Sequence, residues 1–91
     1  MTKGEYRVGI NFNPSADDNV GQIKRMAADL IDYIETIRAS GDGHDQVMEV
    51  IRLRALAQTA IEDGAMWAVK AATKPEWTGW SEVVTKPTEK K

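Results

Sequence analysis

The sequence contains no cysteine and only one histidine among its 91 residues. Without cysteine the chain forms no disulfide and offers no thiolate to a metal, and a reducing compartment is the natural setting. The histidine, His44, lies in the turn "GDGHD", where a solvent-facing role is the ordinary interpretation. Because there is neither a second histidine nor a cluster of metal ligands, we expect no metal site, no cofactor and no hydrolytic activity.

The chain also lacks a strong excess of one charge and a long apolar run. Lysine and arginine number 12 against 14 acidic residues, which gives a net charge of -2. Duplex nucleic acid is bound through a large basic excess, so a duplex is not an expected partner, although a small anion is. No uninterrupted apolar stretch of about 18 residues and no signal-peptide pattern is present, which predicts a soluble intracellular protein with no membrane partner.

Two helical patterns joined by a glycine-rich turn occupy most of the chain. Asn13 and Pro14 suit the start of the first helix, as N-cap and first-turn residue. Asp45 suits the N-cap of the second helix, which continues to about Thr73 before a Lys-Pro pair. Along the first helix, apolar residues recur at intervals of three and four, as one amphipathic stripe does: Val20, Ile23, Met26, Ala27, Leu30, Ile34 and Ile37.

These patterns predict an all-α fold built on an antiparallel two-helix hairpin. The hairpin covers residues 13–74, a loose or short extended N-terminal arm covers residues 1–12, and a C-terminal segment and tail cover residues 75–91. A chain of this length buries only about 60% of its unfolded surface, so its own core is thin. We therefore expect stabilisation from assembly.

The second helix is apolar on more than one side. One face holds Val47, Val50, Leu53 or Arg54, Ala57, Ile61, Ala65, Ala68 and Ala72, while Leu56, Ala60, Met66, Trp67 and Val69 extend the apolar surface round the helix. Gly64 in mid-helix costs about 1 kcal/mol relative to alanine, which the close approach of another helix would offset. The pattern predicts a helical homo-oligomer. The alternative is a monomer in which residues 77–84 fold back over the second face.

Five side chains are candidates for ligand binding, and each has a structural alternative. Lys24, near the start of the first helix, suits a phosphate ligand or a stem that snorkels along a helix interface. Tyr6 and Phe12 suit base stacking or hydrophobic anchoring of the arm. Arg52 follows a glutamate at the spacing of a helical ion pair. Thr59 is a lone hydroxyl among alanines, where bonding back to the helix is the commoner role.

The combination of "YR" on the arm, "FNPS" before a helix carrying "IK", a glycine-rich turn and "EVIRLRALAQTAIEDGAMWAVKAAT" resembles the phage family called anti-CBASS protein two. That family shares a helical hairpin domain with Thoeris anti-defence protein one, and the resemblance covers roughly residues 6–74. It implies a homohexamer, a trimer of dimers, that sequesters cyclic di- and trinucleotides without cleaving them. It also implies that CBASS-type immune signalling is blocked in the cytoplasm of the infected bacterial cell.

The resemblance also implies roles for individual residues. Lys24 corresponds to the lysine that binds the phosphates of a cyclic dinucleotide, and Tyr6 or Phe12 to the aromatic residue that stacks on its base. Arg52 and Thr59 correspond to a separate pocket for cyclic trinucleotides. No role is implied for the C-terminal tryptophans at positions 77 and 80.

Other functional classes give different expectations. A small interaction module, of the antitoxin or host-inhibitor type, would use the same apolar helix to bind another protein, and substitution of Lys24 would leave its activity intact. An enzyme that cleaves cyclic nucleotides would need a histidine pair or a metal site, which a single histidine does not provide.

Overall fold

The computed structural model describes residues 1–77, which form three helices. Helix α1 spans Lys3–Val8, α2 spans Asp18–Glu35 and α3 spans His44–Ala72. Gln58 of α3 contacts Ile31 of α2, and Arg54, one turn earlier, contacts Ile37, so α2 and α3 run antiparallel. The all-helical hairpin is confirmed. No helix in residues 1–77 is long and apolar enough to cross a membrane.

The N-terminal arm is helical, so the prediction of a loose or extended arm was wrong. Thr2 and Glu5 form a capping box, in which each side chain accepts a hydrogen bond from the backbone N–H of the other residue. Gly9 ends α1 in the left-handed region with φ 66°, a conformation that glycine adopts without strain. Both signals are present in the sequence, but a helix of six residues is too short to show an apolar period.

Both predicted N-caps were also wrong. Helix α2 begins at Asp18, and the Asp17 carboxylate accepts from the N–H of Val20, as an N-cap does. Asn13 instead orders the preceding loop through two bonds to the backbone of Asp17. Helix α3 begins at His44 without a side-chain cap, so Asp45 is not the N-cap, whereas its end at Ala72 agrees with the predicted end near Thr73.

The core is small and lies where α1, α2 and the middle of α3 meet. Its apolar members are Val20, Ala27, Ala28 and Ile31. The predicted stripe of α2 was correct only in part, because Met26, Leu30 and Ile37 are exposed. The buried face is rotated towards Lys24, because α1 as well as α3 packs on α2.

Helix α1 is held against α2 by a close backbone approach at Gly4. A Cβ atom at Gly4 would lie 2.1 Å from the carbonyl oxygen of Ala28, so only glycine fits. The Gly4 N–H also donates to the Asp32 carboxylate at 2.7 Å. This contact fixes the position of Tyr6 and Arg7, which lie on the last turn of α1. Trp80 and the rest of the C-terminal segment beyond Trp77 lie outside the described residues.

Candidate functional site

A cleft of about 420 Å³ lies between α1, α2 and α3. It contains two cationic side chains, Arg7 and Lys24, two carboxylates and one hydroxyl. Its full lining is Arg7, Val8, Lys24, Thr59, Glu62, Asp63, Ala65, Met66 and Val69. The cleft therefore combines charged groups with an apolar wall, as small-molecule sites do.

Lys24 lies at the base of this cleft and is only 7% exposed. Its ammonium group donates to the carbonyl oxygen of Gly9 at 3.0 Å and to that of Phe12. These two bonds tie the loop after α1 to α2 and satisfy the buried charge. Because an ammonium group has three N–H donors, one donor is left for a ligand oxygen.

The two candidate stacking residues lie on either side of the C-terminal end of α1. Phe12 has a 71% exposed side chain, and its ring centroid lies 5.3 Å from the Lys24 ammonium nitrogen. Tyr6 lies on α1 itself and is 77% exposed. Both rings are accessible to a base, and Phe12 is in addition a cation–π partner of Lys24.

Arg7 is a site residue that the sequence did not single out. Its Nε and one terminal nitrogen lie 2.8 Å and 2.7 Å from the same oxygen of Glu62, and the terminal nitrogen also lies 3.3 Å from the Thr59 hydroxyl. Fifty-five residues separate Arg7 from Glu62, so no local pattern signals their contact. This ion pair holds the C-terminal end of α1 against α3.

Arg52 and Thr59, predicted for one pocket, lie seven residues apart on α3, which places them about 10 Å apart along the helix axis. Arg52 pairs with Glu49 through two bonds of 3.0 Å and 2.6 Å, so the predicted orienting pair is confirmed. Hydrogen bonding from Arg52 lowers the pKa of the Glu49 carboxyl. Within one chain Thr59 contacts Arg7 and lines the Lys24 cleft instead.

A second cleft of about 390 Å³ lies at the hairpin turn, between Arg38 and Arg54. Arg38 donates to the carbonyl oxygen of Glu35 at 2.7 Å, and Arg54 to that of Ile37 at 2.8 Å. Both guanidinium groups thus satisfy carbonyls at the end of α2, the usual role of arginine there. Among residues 1–77, the buried Nε of Arg54 has no hydrogen-bond partner.

A polar cluster at the N-terminal end of α1 connects all three helices. Glu35 accepts from Lys3 of α1 at 2.9 Å and from Gln58 of α3 at 2.9 Å. The Gln58 bond, followed by the Lys3 bond, lowers the pKa of Glu35 to about 2 from an ordinary value of 4.5. Gln58 itself is buried and donates to the Ile31 carbonyl oxygen at 3.0 Å.

Large exposed apolar side chains form a stripe along each of the two long helices. On α2 they form an outer stripe of Met26, Leu30 and Tyr33, all exposed. On α3 the outer stripe consists of Leu53, Leu56, Ala60, Gly64 and Trp67, whose spacing of three and four keeps them on one side. An added Cβ at Gly64 would meet no atom of residues 1–77 within 4 Å. Such paired apolar stripes are typical of an interaction surface.

Comparison with known families gives one match. The family model described as "Acb2/Tad1, hairpin domain" matches residues 5–73, more than half of the chain. The matched range begins within α1 and ends just after α3, so it contains the cleft and both outer stripes. No curated protein and no solved structure matches the chain.

Proposed function

Because the chain belongs to the Acb2/Tad1 hairpin family, we propose that it is a phage anti-defence sponge that sequesters cyclic di- and trinucleotides without cleaving them. The family suggests the sponge role, as the sequence resemblance predicted, and the ligands are our proposal. The observation that carries it is the arrangement at the cleft. There a buried lysine with one N–H to spare lies beside an exposed aromatic ring.

A cyclic dinucleotide fits a site to which two chains contribute the same residues. Such a ring has two phosphates related by an approximate two-fold axis, so two copies of Lys24 across a dimer supply one cation to each phosphate. Two aromatic rings, from Phe12 or Tyr6, stack on the two bases, and each stack contributes about 1–3 kcal/mol. A small excess of positive charge at the axis suffices, so the net charge of -2 is no obstacle.

The exposed outer stripes support self-assembly. In a single chain, Leu53, Leu56 and Trp67 of α3 keep much of their surface in water, and burying a large apolar side chain contributes roughly 1.5–3 kcal/mol. Among the described residues, no atom lies near the Cβ position of Gly64, which leaves room for the backbone of another helix. We propose that copies of the chain cover these stripes and form a homohexamer, a trimer of dimers.

Cyclic trinucleotides would then bind elsewhere, at a three-fold axis. Three copies of Arg52 would each bind one phosphate, with bidentate geometry available once the arginine leaves Glu49. The resemblance assigns Thr59 to the same pocket, but its hydroxyl contacts Arg7 in the Lys24 cleft, so the proposed trinucleotide pocket depends on Arg52. The Arg52–Glu49 pair is exposed on both sides, so its exchange for a phosphate costs little.

Two measurements test the proposal. Native mass spectrometry should give a hexamer, and a monomer would remove the symmetry axes on which both sites depend. Calorimetry with a panel of cyclic di- and trinucleotides should show binding, and the ligand should be recovered unchanged after the complex is denatured. Recovery of a linear product would show cleavage and contradict sequestration.

Two variants separate the sites. Phe12→Ala should weaken dinucleotide binding alone, and Arg52→Gln trinucleotide binding alone, with Glu49→Gln as the matched control that frees Arg52 without removing it. Parallel losses for both ligand classes would contradict separate pockets. If the chain is instead an antitoxin-like or host-inhibitor module, these variants should bind its protein partner normally, while substitutions in the outer stripes should abolish that binding.

A further inference from the structure

We propose that Arg7 is a second phosphate-binding residue of the Lys24 cleft, held by Glu62 while the cleft is empty and released to a ligand phosphate on binding. This inference rests on the proposed function, because it assumes that a cyclic dinucleotide enters the cleft. It assigns a role to Arg7 and Glu62, to which neither the sequence pattern nor the resemblance gave one.

The placement of Arg7 is the first reason. Arg7 lies on the last turn of α1, and its side chain crosses to Glu62 of α3, so Arg7 and Lys24 line one cleft. Lys24 retains a single N–H beyond its two carbonyl bonds, which is little for a phosphodiester with two non-bridging oxygens. A guanidinium group supplies the paired donors that suit such a phosphate.

The geometry of the Arg7–Glu62 pair is the second reason. Both arginine nitrogens approach the same carboxylate oxygen, Oε1 of Glu62, at 2.8 Å and 2.7 Å. The strongest guanidinium–carboxylate pairs use both oxygens in parallel, so this pair is not the best that the two groups can form. The side chains are 24% and 42% exposed, and ion pairs that water reaches contribute little to stability. A phosphate can therefore compete for Arg7.

Thr59 completes the arrangement. Its hydroxyl lies 3.3 Å from an Arg7 nitrogen, on the same helix as Glu62 and one turn before it. A hydroxyl both accepts and donates, so Thr59 can keep its contact with Arg7 and donate to a phosphate oxygen. The guanidinium group then needs only to change partner and not to find a new position.

The charge balance of the cleft makes the inference testable. Its two cations face two carboxylates, Glu62 and Asp63, so the empty cleft is close to neutral. Of these two carboxylates, Glu62 is the one bonded to Arg7. If Glu62 competes with the ligand, Glu62→Gln should strengthen binding, whereas a purely structural ion pair predicts unchanged or weaker binding. Asp63→Asn removes the same charge from the same cleft and is the matched control.

The experiment is calorimetry with cyclic di-GMP and cyclic di-AMP on the full chain at constant ionic strength. We expect Glu62→Gln to lower the Kd about tenfold, the scale of one hydrogen bond to a charged group, and Asp63→Asn to change it about twofold. Arg7→Gln should raise the Kd about tenfold or more, and Arg7→Lys should recover only part of the loss. In the Arg7→Gln background, adding Glu62→Gln should no longer lower the Kd, because there is no arginine for Glu62 to hold.

Three results would overturn the inference: equal effects of Glu62→Gln and Asp63→Asn, weaker binding by Glu62→Gln, or a gain that persists without Arg7. Circular dichroism of each variant shows whether it keeps the helical content of the wild type. If the wild-type chain binds no cyclic dinucleotide of the panel, the dinucleotide part of the proposed function fails and this inference fails with it. If the wild type binds and the variants do not follow this order, only the role of Arg7 is refuted.

Discussion

Substitution of Gly4 by alanine should detach α1 from the hairpin, although alanine is the better helix former. The new Cβ would lie 2.1 Å from the Ala28 carbonyl oxygen, whereas ordinary contacts begin near 3.4 Å, so the backbone of α1 must move by more than 1 Å. That displacement breaks the 2.7 Å bond from the Gly4 N–H to Asp32. Two opposing energies decide the outcome.

The lost hydrogen bond outweighs the gain in helix propensity. A hydrogen bond to a charged carboxylate contributes roughly 1.5–3 kcal/mol, whereas replacing glycine by alanine inside a helix gains about 1 kcal/mol. The free energy of unfolding should therefore fall by about 0.5–2 kcal/mol, before any loss at neighbouring contacts. For a chain of this size that lowers the melting temperature by roughly 2–16 °C.

Thermal denaturation followed by circular dichroism at one fixed chain concentration measures this, because an assembling protein has a concentration-dependent melting temperature. Gly21→Ala is the matched control: it lies within α2, and its Cβ would meet only the Asn13 side chain at an ordinary 3.8 Å, so it should stabilise by up to about 1 kcal/mol. A Gly4→Ala chain that melts at or above the wild-type temperature would refute the close packing of α1.

Three further predictions concern the outer stripe, the polar cluster and the aromatic residues. Gly64→Ala should dissociate the proposed hexamer in native mass spectrometry, because a Cβ would obstruct a partner helix; an intact, more stable assembly would show that no backbone approaches there. Since the pKa of Glu35 is lowered to about 2, its stabilising effect should be complete above pH 4.5 and lost as the pH falls towards 2, and denaturation of Glu35→Gln should lack this pH dependence. Finally, if Phe12 rather than Tyr6 stacks on the base, Phe12→Ala should raise the dinucleotide Kd about tenfold and Tyr6→Ala should not, as calorimetry would show.

The hairpin could be predicted because its signals are local and repeated. The 3.6-residue apolar period extends over both long helices, and the glycines around position 42 interrupt it. Helix α1 could not be predicted by the same means. Its six residues are held mainly by contacts with distant parts of the chain, such as the approach of Gly4 to Ala28, and those contacts leave no period in the sequence.

Of the residues that line the cleft, the sequence predicted a ligand-binding role for Lys24 and, in another pocket, for Thr59, but not for Arg7. Lys24 was singled out because a lysine beside an apolar stripe is unusual, and the structure places it in the cleft. Its partners are backbone carbonyls of Gly9 and Phe12, which no side-chain pattern encodes. The buried face of α2 is rotated towards Lys24 because α1 packs on it. The sequence therefore could not predict that Met26 is exposed.

Because α1 is held at both ends, one of its side chains can bind a ligand while the helix keeps its position. At its N-terminal end, α1 is held by Lys3 on Glu35 and by the Gly4 N–H on Asp32. At its C-terminal end, it is held by Arg7 on Glu62 and, through the following loop, by Lys24. Only this second set lines the cleft. A phosphate that takes Arg7 from Glu62 therefore removes one contact of α1 and adds its own, while the Gly4 end keeps the helix docked.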